Sequence, residues 1–328
     1  MQSPVRLSLI VPVLDEEETV GPFLEASGAA LTDAIALLPD GSDWEWVFVN
    51  DGSVDATEVV LTTRAAADPR IRLVNLSRNF GKEAAMAAGL DMATGDAVIP
   101  IDVDLQDPPA TIVPMVREWS AGAQVVNARR VDRSTDSLPK RLSATWFYRL
   151  YNKVADQPIP ENVGDFRLLG REALDVIRRL PESSRFNKGL FNWVGFNVAT
   201  VDYVREARVA GQSKWRPWQL WNFALDGITA STTVPLRLWT YVGAVFAMLS
   251  FAYAAFLIVR TLILGVDVPG YASLLVMVLF LGGLQMLSLG IMGEYIGRIA
   301  KEVRGRPLYV VASTVGFDDQ PQLSETVS

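Results

Sequence analysis

The sequence predicts an α/β domain with a doubly wound sheet, followed by interfacial helices and two transmembrane helices. Short apolar runs alternate with helical stretches over about the first 130 residues. This alternation is typical of parallel strands joined by right-handed crossovers. Nearer the C-terminus, two uncharged runs each exceed the roughly 20 residues that cross a bilayer as a helix.

Five apolar runs are predicted to be strands, because a continuous apolar run is typical of a strand that is buried on both faces of a sheet. They cover residues 7–13, 44–50, 70–76, 96–101 and 124–128. Helices are predicted from the acidic run 15–18 to about residue 38, and over 56–67, 81–93 and about 109–120. The acidic run lies where the N-terminus of a helix favours negative charge.

Composition excludes several kinds of chemistry. The 328 residues contain no Cys and no His, so disulfides, thiolate metal sites, Ser-His-Asp triads and His-ligated zinc are excluded. Acid–base work must fall to carboxylates, Lys or Tyr. The net charge of −7 argues against a nucleic-acid partner. The first residues lack the basic segment of a signal peptide, so none is predicted.

Two aspartates end the fourth predicted strand, two residues apart. Asp102 and Asp104 can converge at the turn, and Gln106 follows them. Oxygen ligands of this kind suit Mg²⁺ or Mn²⁺ shared with a diphosphate. An acidic surface turn is the alternative, since Asp-x-Asp is common. Asp51 and the segment 12–16 also follow predicted strands, and ligands of such sheets bind beyond the carboxyl ends of the strands.

A basic stretch follows the fifth predicted strand. It is either a solvated loop or a clamp for phosphates, because guanidinium groups bind phosphate oxygens in pairs. Its members are Arg129, Arg130, Arg133, Lys140 and Arg141.

The C-terminal third changes in composition. Trp residues recur every three positions at 215, 218 and 221, as expected of a helix at a lipid headgroup boundary. The runs 238–259 and 268–293 carry no charge, and basic residues follow the second. By the positive-inside rule both chain ends are expected in the cytoplasm, with the short connector outside. Two buried helices of a soluble core are the alternative.

These patterns divide the chain into four expected parts. The predicted order is a cytoplasmic catalytic domain, an amphipathic juxtamembrane helix, two transmembrane helices and a cytoplasmic tail. The whole is expected to be a multi-pass protein of the cell inner membrane. The predicted boundaries are 1–212, 213–236, 237–297 and 298–328.

Six segments together resemble glycosyltransferase family 2. Residues 6–311 are similar to its polyprenyl-phosphate branch, which includes bactoprenol glucosyltransferases and dolichyl-phosphate mannose synthases. One departure is Val103, where the family often has Ala. The segments are VPVLDEE (11–17), VNDGSVDAT (49–57), LSRNFGKEAAMAAGL (76–90), IPIDVDLQDPP (99–109), GDFRLLGREALD (164–175) and NKGLFNWVGF (187–196).

The resemblance implies a GT-A, Rossmann-like fold and inverting transfer of a hexose to undecaprenyl or another polyprenyl phosphate at the cytoplasmic face of the bilayer. UDP-glucose is the expected donor and Mg²⁺ or Mn²⁺ the expected cofactor. A homotetramer is also implied. GDP-mannose, UDP-N-acetylglucosamine and modified aminopentose donors remain alternatives.

The resemblance also implies roles for individual residues. Asp165 occupies the place of the catalytic base, although it can equally orient the acceptor or an Arg. Lys82 either positions the donor or is only a cation at the start of a helix. The nucleoside would contact Pro12, Glu16 and Asp51, and the metal would be held by Asp102, Asp104 and Gln106, with Asp104 also counted as catalytic.

The acceptor poses an electrostatic problem. A phosphate monoester is already largely anionic at neutral pH, so bringing it close to a diphosphate needs cations more than a base. Four basic residues are candidates for holding it: Arg129, Arg141, Arg205 and Lys214.

Three other functions fit parts of the sequence. A processive polysaccharide synthase would carry a Gln-x-x-Arg-Trp motif, and no Arg-Trp pair occurs in the chain. A non-catalytic membrane protein that binds nucleotide sugars would not need the intact aspartates. A membrane-anchored scaffold would function equally well without Asp102.

Overall fold

The computed structural model describes residues 3–131, 162–180, 195–206 and 270–317, with isolated residues and short pieces between 160 and 263. Four strands alternate with three helices at the start, within about two residues of the predicted bounds except for the first helix, which is shorter than predicted. The strands are β1 (Arg6–Val13), β2 (Asp43–Asn50), β3 (Ile71–Leu76) and β4 (Ala97–Pro100), and the helices are α1 (Val20–Ile35), α2 (Thr57–Ala67) and α3 (Lys82–Met92).

The second half continues the same sheet. After a short 3-10 turn (Pro109–Thr111), the elements are α4 (Ile112–Ser120), β5 (Val125–Arg130), β6 (Val163–Gly170), α5 (Arg171–Arg178), β7 (Val198–Tyr203), α6 (Tyr271–Val303) and β8 (Val311–Val315).

The eight strands lie in the order β7-β5-β6-β4-β1-β2-β3-β8. Pairings among β1 to β4 are parallel, whereas β6 runs antiparallel between β4 and β5, and β8 runs antiparallel beside β3. The predicted α/β architecture is confirmed, and the sheet is mixed.

The antiparallel direction of β6 shapes the carboxyl edge of the sheet. An antiparallel strand begins where its parallel neighbours end. In β4 and β6, Ala97 pairs with Gly170 and Val98 with Leu169. Continued along the chain, this register brings Asp102 alongside Asp165. The first residues of β6 therefore lie at the edge where ligands of α/β sheets bind.

Helices cover both faces of the sheet and bury two apolar clusters. Side chains of α1, α2 and α4 pack on one face, including Phe23, Leu61 and Met115. Helix α3 packs on the other face together with α5. It lies very close to β1, because a Cβ on Gly89 would lie 2.3 Å from Cγ2 of Ile10.

The C-terminal strand returns to the α/β domain. β8 extends the sheet at β3, where Ser313 Oγ accepts a hydrogen bond from Asn75 at 3.0 Å. Before it, the Tyr309 hydroxyl donates to Asp91 of α3 at 2.8 Å. Two contacts with separate elements therefore bind this segment to the catalytic domain.

The predicted membrane segments require a correction. In the part of the chain that the structure describes, no helix is both long enough and apolar enough to cross a bilayer. The prediction of two transmembrane helices, and the multi-pass inner-membrane placement that followed from it, are therefore wrong. Most of the second uncharged run lies in α6 (Tyr271–Val303), whereas the structure describes the first run only in short pieces. The Trp-containing stretch 213–236 lies outside the described residues.

Candidate active site

Asp51 follows β2 and is held by backbone groups. Its side chain is buried, and Oδ1 accepts the N–H of Phe80 at 2.7 Å while Oδ2 accepts the N–H of Gly81 at 2.8 Å. Burial raises the pKa of Asp51, and these two hydrogen bonds oppose the rise. The carboxylate predicted to bind the nucleoside thus also fixes the loop that precedes α3.

The turns after β1 and β2 are joined through acidic side chains. Asp15 Oδ1 accepts the N–H of Val54 at 2.8 Å, and Glu17 Oε2 accepts the N–H of Ala56 at 2.8 Å. Helix α1 begins only at Val20 and has no acidic residue in its first turn. Two carboxylates of the run 15–18, those of Asp15 and Glu17, therefore bind the neighbouring loop, and none of the four residues lies in the first turn of α1.

The other predicted nucleoside contacts lie at the same edge. Pro12 is in β1 opposite Val49 of β2. Glu16 follows that strand, and its N–H donates to Thr57 Oγ1 at 2.8 Å while its carboxylate accepts from Thr19 Oγ1 at 3.0 Å. Both residues therefore border the turn that carries Asp51.

The turn after β4 carries the predicted metal ligands. Asp104 is 8% exposed, and its Oδ1 accepts the N–H of Gln106 at 3.1 Å. Leu105 between them has a φ of 57°, a left-handed conformation that tightens the turn. The carbonyl of Gln106 accepts the N–H of Glu206 at 3.0 Å, so the chain after β7 packs against this turn.

Lys82 joins the two carboxylates on which the predicted chemistry depends. Its Nζ lies 2.6 Å from Asp102 Oδ1, 2.8 Å from Asp102 Oδ2 and 3.2 Å from Asp165 Oδ2. Burial lowers the pKa of Lys82, but the charges of Asp102 and Asp165 outweigh burial and hold this pKa above its ordinary value. The structure thus brings together three residues that are far apart in sequence.

Asp107 is a member of this edge that the sequence did not reveal. Its Oδ1 accepts the Tyr203 hydroxyl at 2.6 Å and lies 4.0 Å from Nε of Arg205. Burial raises the pKa of Asp107, the bond from Tyr203 opposes the rise, and repulsion from Asp102 adds to it. Arg205, a predicted phosphate contact, is therefore beside the aspartate turn.

The remaining basic candidates are placed differently. Arg129 lies in β5 and forms an exposed ion pair with Asp202, with contacts of 2.7 and 2.9 Å. Arg141 and Lys214 lie outside the described residues. Of the four predicted phosphate contacts, only Arg205 is seen next to the aspartates.

Arg167 is another residue that the sequence analysis missed. It is 2% exposed, donates to the carbonyl of Gly164 at 2.6 Å and lies over the ring of Phe191 at 4.5 Å from its centroid. The hydrogen bond joins the residue before Asp165 to the second residue after it, and so fixes the chain on both sides of that aspartate. Its position in Gly-Asp-Phe-Arg, two residues after that aspartate, is the only sequence signal for this role.

The donor set fits a divalent metal that shares its coordination with a ligand. Among the described residues, no group of three His, Cys, Asp or Glu side chains is placed to hold a metal ion. Asp102, Asp104 and Gln106 supply hard oxygen atoms on one turn, which is the chemistry that Mg²⁺ and Mn²⁺ prefer. A diphosphate would complete the coordination, as these ions commonly use substrate phosphates.

A groove elsewhere on the domain is unrelated to these residues. It has a volume of about 730 Å³ and lies between α1 and α2, lined by Trp44, Trp46 and Arg70 among others. These three residues are near the amino ends of β2 and β3, the opposite edge of the sheet from the aspartates. The chemistry of the candidate site therefore does not involve this groove.

Comparison with known proteins identifies the family of this chain. Residues 8–178 match Glycosyl transferase family 2, and residues 234–299 match the GtrB C-terminal hairpin. The chain belongs to glycosyl transferase family 2. The match to this family covers β1 to α5 and includes Asp51, Asp102 and Asp165.

Close relatives extend the likeness over almost the whole chain. The SfII prophage-derived bactoprenol glucosyl transferase of Shigella flexneri is 51% identical over 307 residues, covering 94% of this chain and 97% of the relative. The prophage bactoprenol glucosyl transferase homolog of Escherichia coli (strain K12) is 49% identical, covering 94% and 98%.

A solved structure is similar at a lower level. Glucosyl-3-phosphoglycerate synthase from Mycobacterium tuberculosis, in complex with Mn²⁺, UDP-glucose and phosphoglyceric acid, is 22% identical, with coverage of 69% of this chain and 78% of that chain and a TM-score of 0.42. A likeness of this extent carries no argument about ligands or chemistry.

Proposed function

We propose that this glycosyltransferase moves glucose from UDP-glucose to a polyprenyl phosphate with inversion at the anomeric carbon. The observation that carries the proposal is the meeting of Lys82, Asp102 and Asp165 at the carboxyl edge, in a chain 51% identical to a bactoprenol glucosyl transferase. Asp51 at the same edge supports a nucleoside position, since its carboxylate can accept a ring N–H of uracil.

The proposed reaction is a single displacement. A phosphate oxygen of the acceptor attacks C1 of glucose, and the bond from C1 to the diphosphate breaks on the opposite side, which releases UDP. Because the acceptor is already anionic, Asp165 serves mainly to orient it, and Arg205 reduces the repulsion between the two phosphate groups. Lys82 lies where it can position the diphosphate of the donor.

The proposed metal is Mg²⁺ or Mn²⁺, held by Asp102, Asp104 and Gln106. When bound, it neutralises charge on the departing diphosphate. The protein holds these ligands on one short turn, and the Gln106 N–H fixes the orientation of the Asp104 carboxylate. The homotetramer implied by the resemblance stays a prediction.

The test is a transfer assay with the purified full chain. Undecaprenyl phosphate in detergent micelles, Mg²⁺ and a panel of labelled nucleotide sugars are incubated with the protein, and label is measured in the lipid extract. We expect label from UDP-glucose, little from GDP-mannose, and none after EDTA. Label from GDP-mannose alone would overturn the donor, and equal transfer in EDTA would overturn the metal.

A further inference from the structure

The contact between Lys82 and Asp102 uses the same carboxylate that the proposed metal needs. Nζ lies within 2.8 Å of both oxygens of Asp102, so the ammonium group faces the whole carboxylate. A divalent ion of this type binds about 2.1 Å from a carboxylate oxygen. Two cations at these distances from one carboxylate would repel each other strongly, so they compete for it.

The backbone of Lys82 is fixed while its side chain can change partners. Lys82 is the first residue of α3, and the two N–H groups before it are bound by Asp51. Gly52 packs against the same loop, because a Cβ there would lie 2.7 Å from the backbone of Arg78 and Asn79. The Lys stem has four flexible carbons and a charge that interacts from many directions.

The second carboxylate explains why a cation belongs here when no metal is bound. Asp165 Oδ2 lies 3.2 Å from the same Nζ. Two neighbouring carboxylates without a cation repel each other. The ammonium group of Lys82 offsets this repulsion and holds both carboxylates in place, and a diphosphate would offer this ammonium an alternative anion.

We propose that Lys82 is a resident cation that competes with the divalent metal for Asp102, so that the metal binds weakly before the donor arrives. The inference rests on the proposed function, because it takes the metal position from there. It predicts that metal affinity without nucleotide is held down by this one side chain. A donor diphosphate relieves the competition by supplying oxygen ligands to the metal and an anion to the lysine.

The test measures Mn²⁺ binding to the purified full chain without nucleotide, from the electron paramagnetic resonance signal of free Mn²⁺. Lys82→Met should bind Mn²⁺ about tenfold more tightly than the wild type, a coupling typical of two ligands that affect one site. Arg78→Met is the matched control, because it removes a cation four residues away whose guanidinium lies over the Phe80 ring at 4.1 Å. It should change the affinity by less than about twofold, because screening weakens distant charges.

Each outcome decides the inference. The inference is overturned if Lys82→Met binds Mn²⁺ no more tightly than the wild type. It is also overturned if Arg78→Met gains as much affinity for Mn²⁺ as Lys82→Met. Lys82→Gln repeats the measurement if Lys82→Met fails to fold by circular dichroism. Asp104→Asn separates the two proposals. If it binds Mn²⁺ like the wild type, the metal site itself fails. If it loses Mn²⁺ while Lys82→Met is unchanged, only the competition fails.

Discussion

The two halves of the carboxyl edge hold their carboxylates in different ways. In the donor half, made of the turns after β1 and β2 and the loop 78–82, Asp15, Glu17 and Asp51 accept backbone N–H groups. In the transfer half, made of the turn 102–107, the start of β6 and the end of β7, three carboxylates contact side chains instead, while Asp104 accepts the N–H of Gln106. The three side-chain pairs are Asp102 with Lys82, Asp165 with Lys82, and Asp107 with Tyr203.

This difference separates a preformed region from an adaptable one. Backbone groups cannot leave without moving the chain, so the donor half is fixed before any ligand binds. Side-chain partners can rotate away, so the transfer half can exchange its internal contacts for the proposed metal, diphosphate and acceptor. We therefore expect substitutions in the donor half to lower stability and those in the transfer half to act mainly on kinetics.

The largest effect is expected for Gly52→Ala in the donor half. Gly52 has a φ of +74°, and an added Cβ would lie 2.7 Å from the backbone of Arg78 and Asn79. Strain and overpacking together should lower the free energy of unfolding by about 3–4 kcal/mol. Separation of the two loops should also raise the KM for UDP-glucose. Urea unfolding and initial rates measure the two effects.

Gly122→Ala is the control for this substitution. Gly122 also has a positive φ, of +109°, but an added Cβ would meet nothing within 4 Å. The free energy of unfolding of Gly122→Ala should therefore fall only by the cost of the backbone conformation, about 1–2 kcal/mol. Its KM for UDP-glucose should equal that of the wild type. Equal losses of stability for the two variants would contradict a close packing of the two loops.

A smaller effect on stability is expected for Tyr203→Phe in the transfer half. The change removes the hydroxyl that donates to Asp107 and keeps the ring that packs against Phe166. The free energy of unfolding should fall by about 1–2 kcal/mol. Because Asp107 and Arg205 are neighbours, the KM for polyprenyl phosphate should rise by about threefold, as expected for the loss of one hydrogen bond.

Tyr309→Phe is the matched control. The Tyr309 hydroxyl also donates to an aspartate that is distant in sequence, Asp91, at 2.8 Å. It should lose comparable stability and keep the wild-type KM for the acceptor. A raised KM for the acceptor in both variants would show that the effect of Tyr203 is not specific to the transfer half.

The smallest effect on stability is expected for Arg129→Gln. The ion pair with Asp202 is about half exposed on both sides, at 49% and 47% of the two side chains. Its loss should leave the free energy of unfolding nearly unchanged, because exposed ion pairs contribute little to stability. If Arg129 holds the acceptor phosphate, the KM for polyprenyl phosphate rises in Arg129→Gln and does not rise in Asp202→Asn. An equal KM for polyprenyl phosphate in both variants would show that Arg129 does not bind the acceptor phosphate.

The sequence predicted the donor half well because its signals are local. β1 and β2 are short apolar runs, and the segment 12–16 and Asp51 lie where these runs end. Parallel strands end at one edge, so these residues were expected to lie near each other. The contacts of Asp51 with the backbone of Phe80 and Gly81 were not predictable, because they depend on how two loops pack.

The transfer half depends on long-range pairing that no local pattern shows. Asp165 reaches the site because β6 runs antiparallel to β4, and nothing in the apolar run of β6 specifies its direction. In the sequence, nothing distinguishes Asp107 from other acidic residues of the turn. Its place in the site depends on the hydrogen bond from Tyr203, which is 96 residues away.

The central claim is that the aspartates of the turn after β4 carry out glucosyl transfer, and kcat of Asp104→Asn tests it most directly. Label transfer from UDP-glucose to undecaprenyl phosphate is measured at saturating Mn²⁺, with the exposed substitution Asp33→Asn of α1 as the control. We predict a loss of at least about 100-fold in kcat for Asp104→Asn, as expected when charge stabilisation at a reacting group is removed, and wild-type activity for the control. A kcat of Asp104→Asn within about threefold of the wild type would contradict the claim.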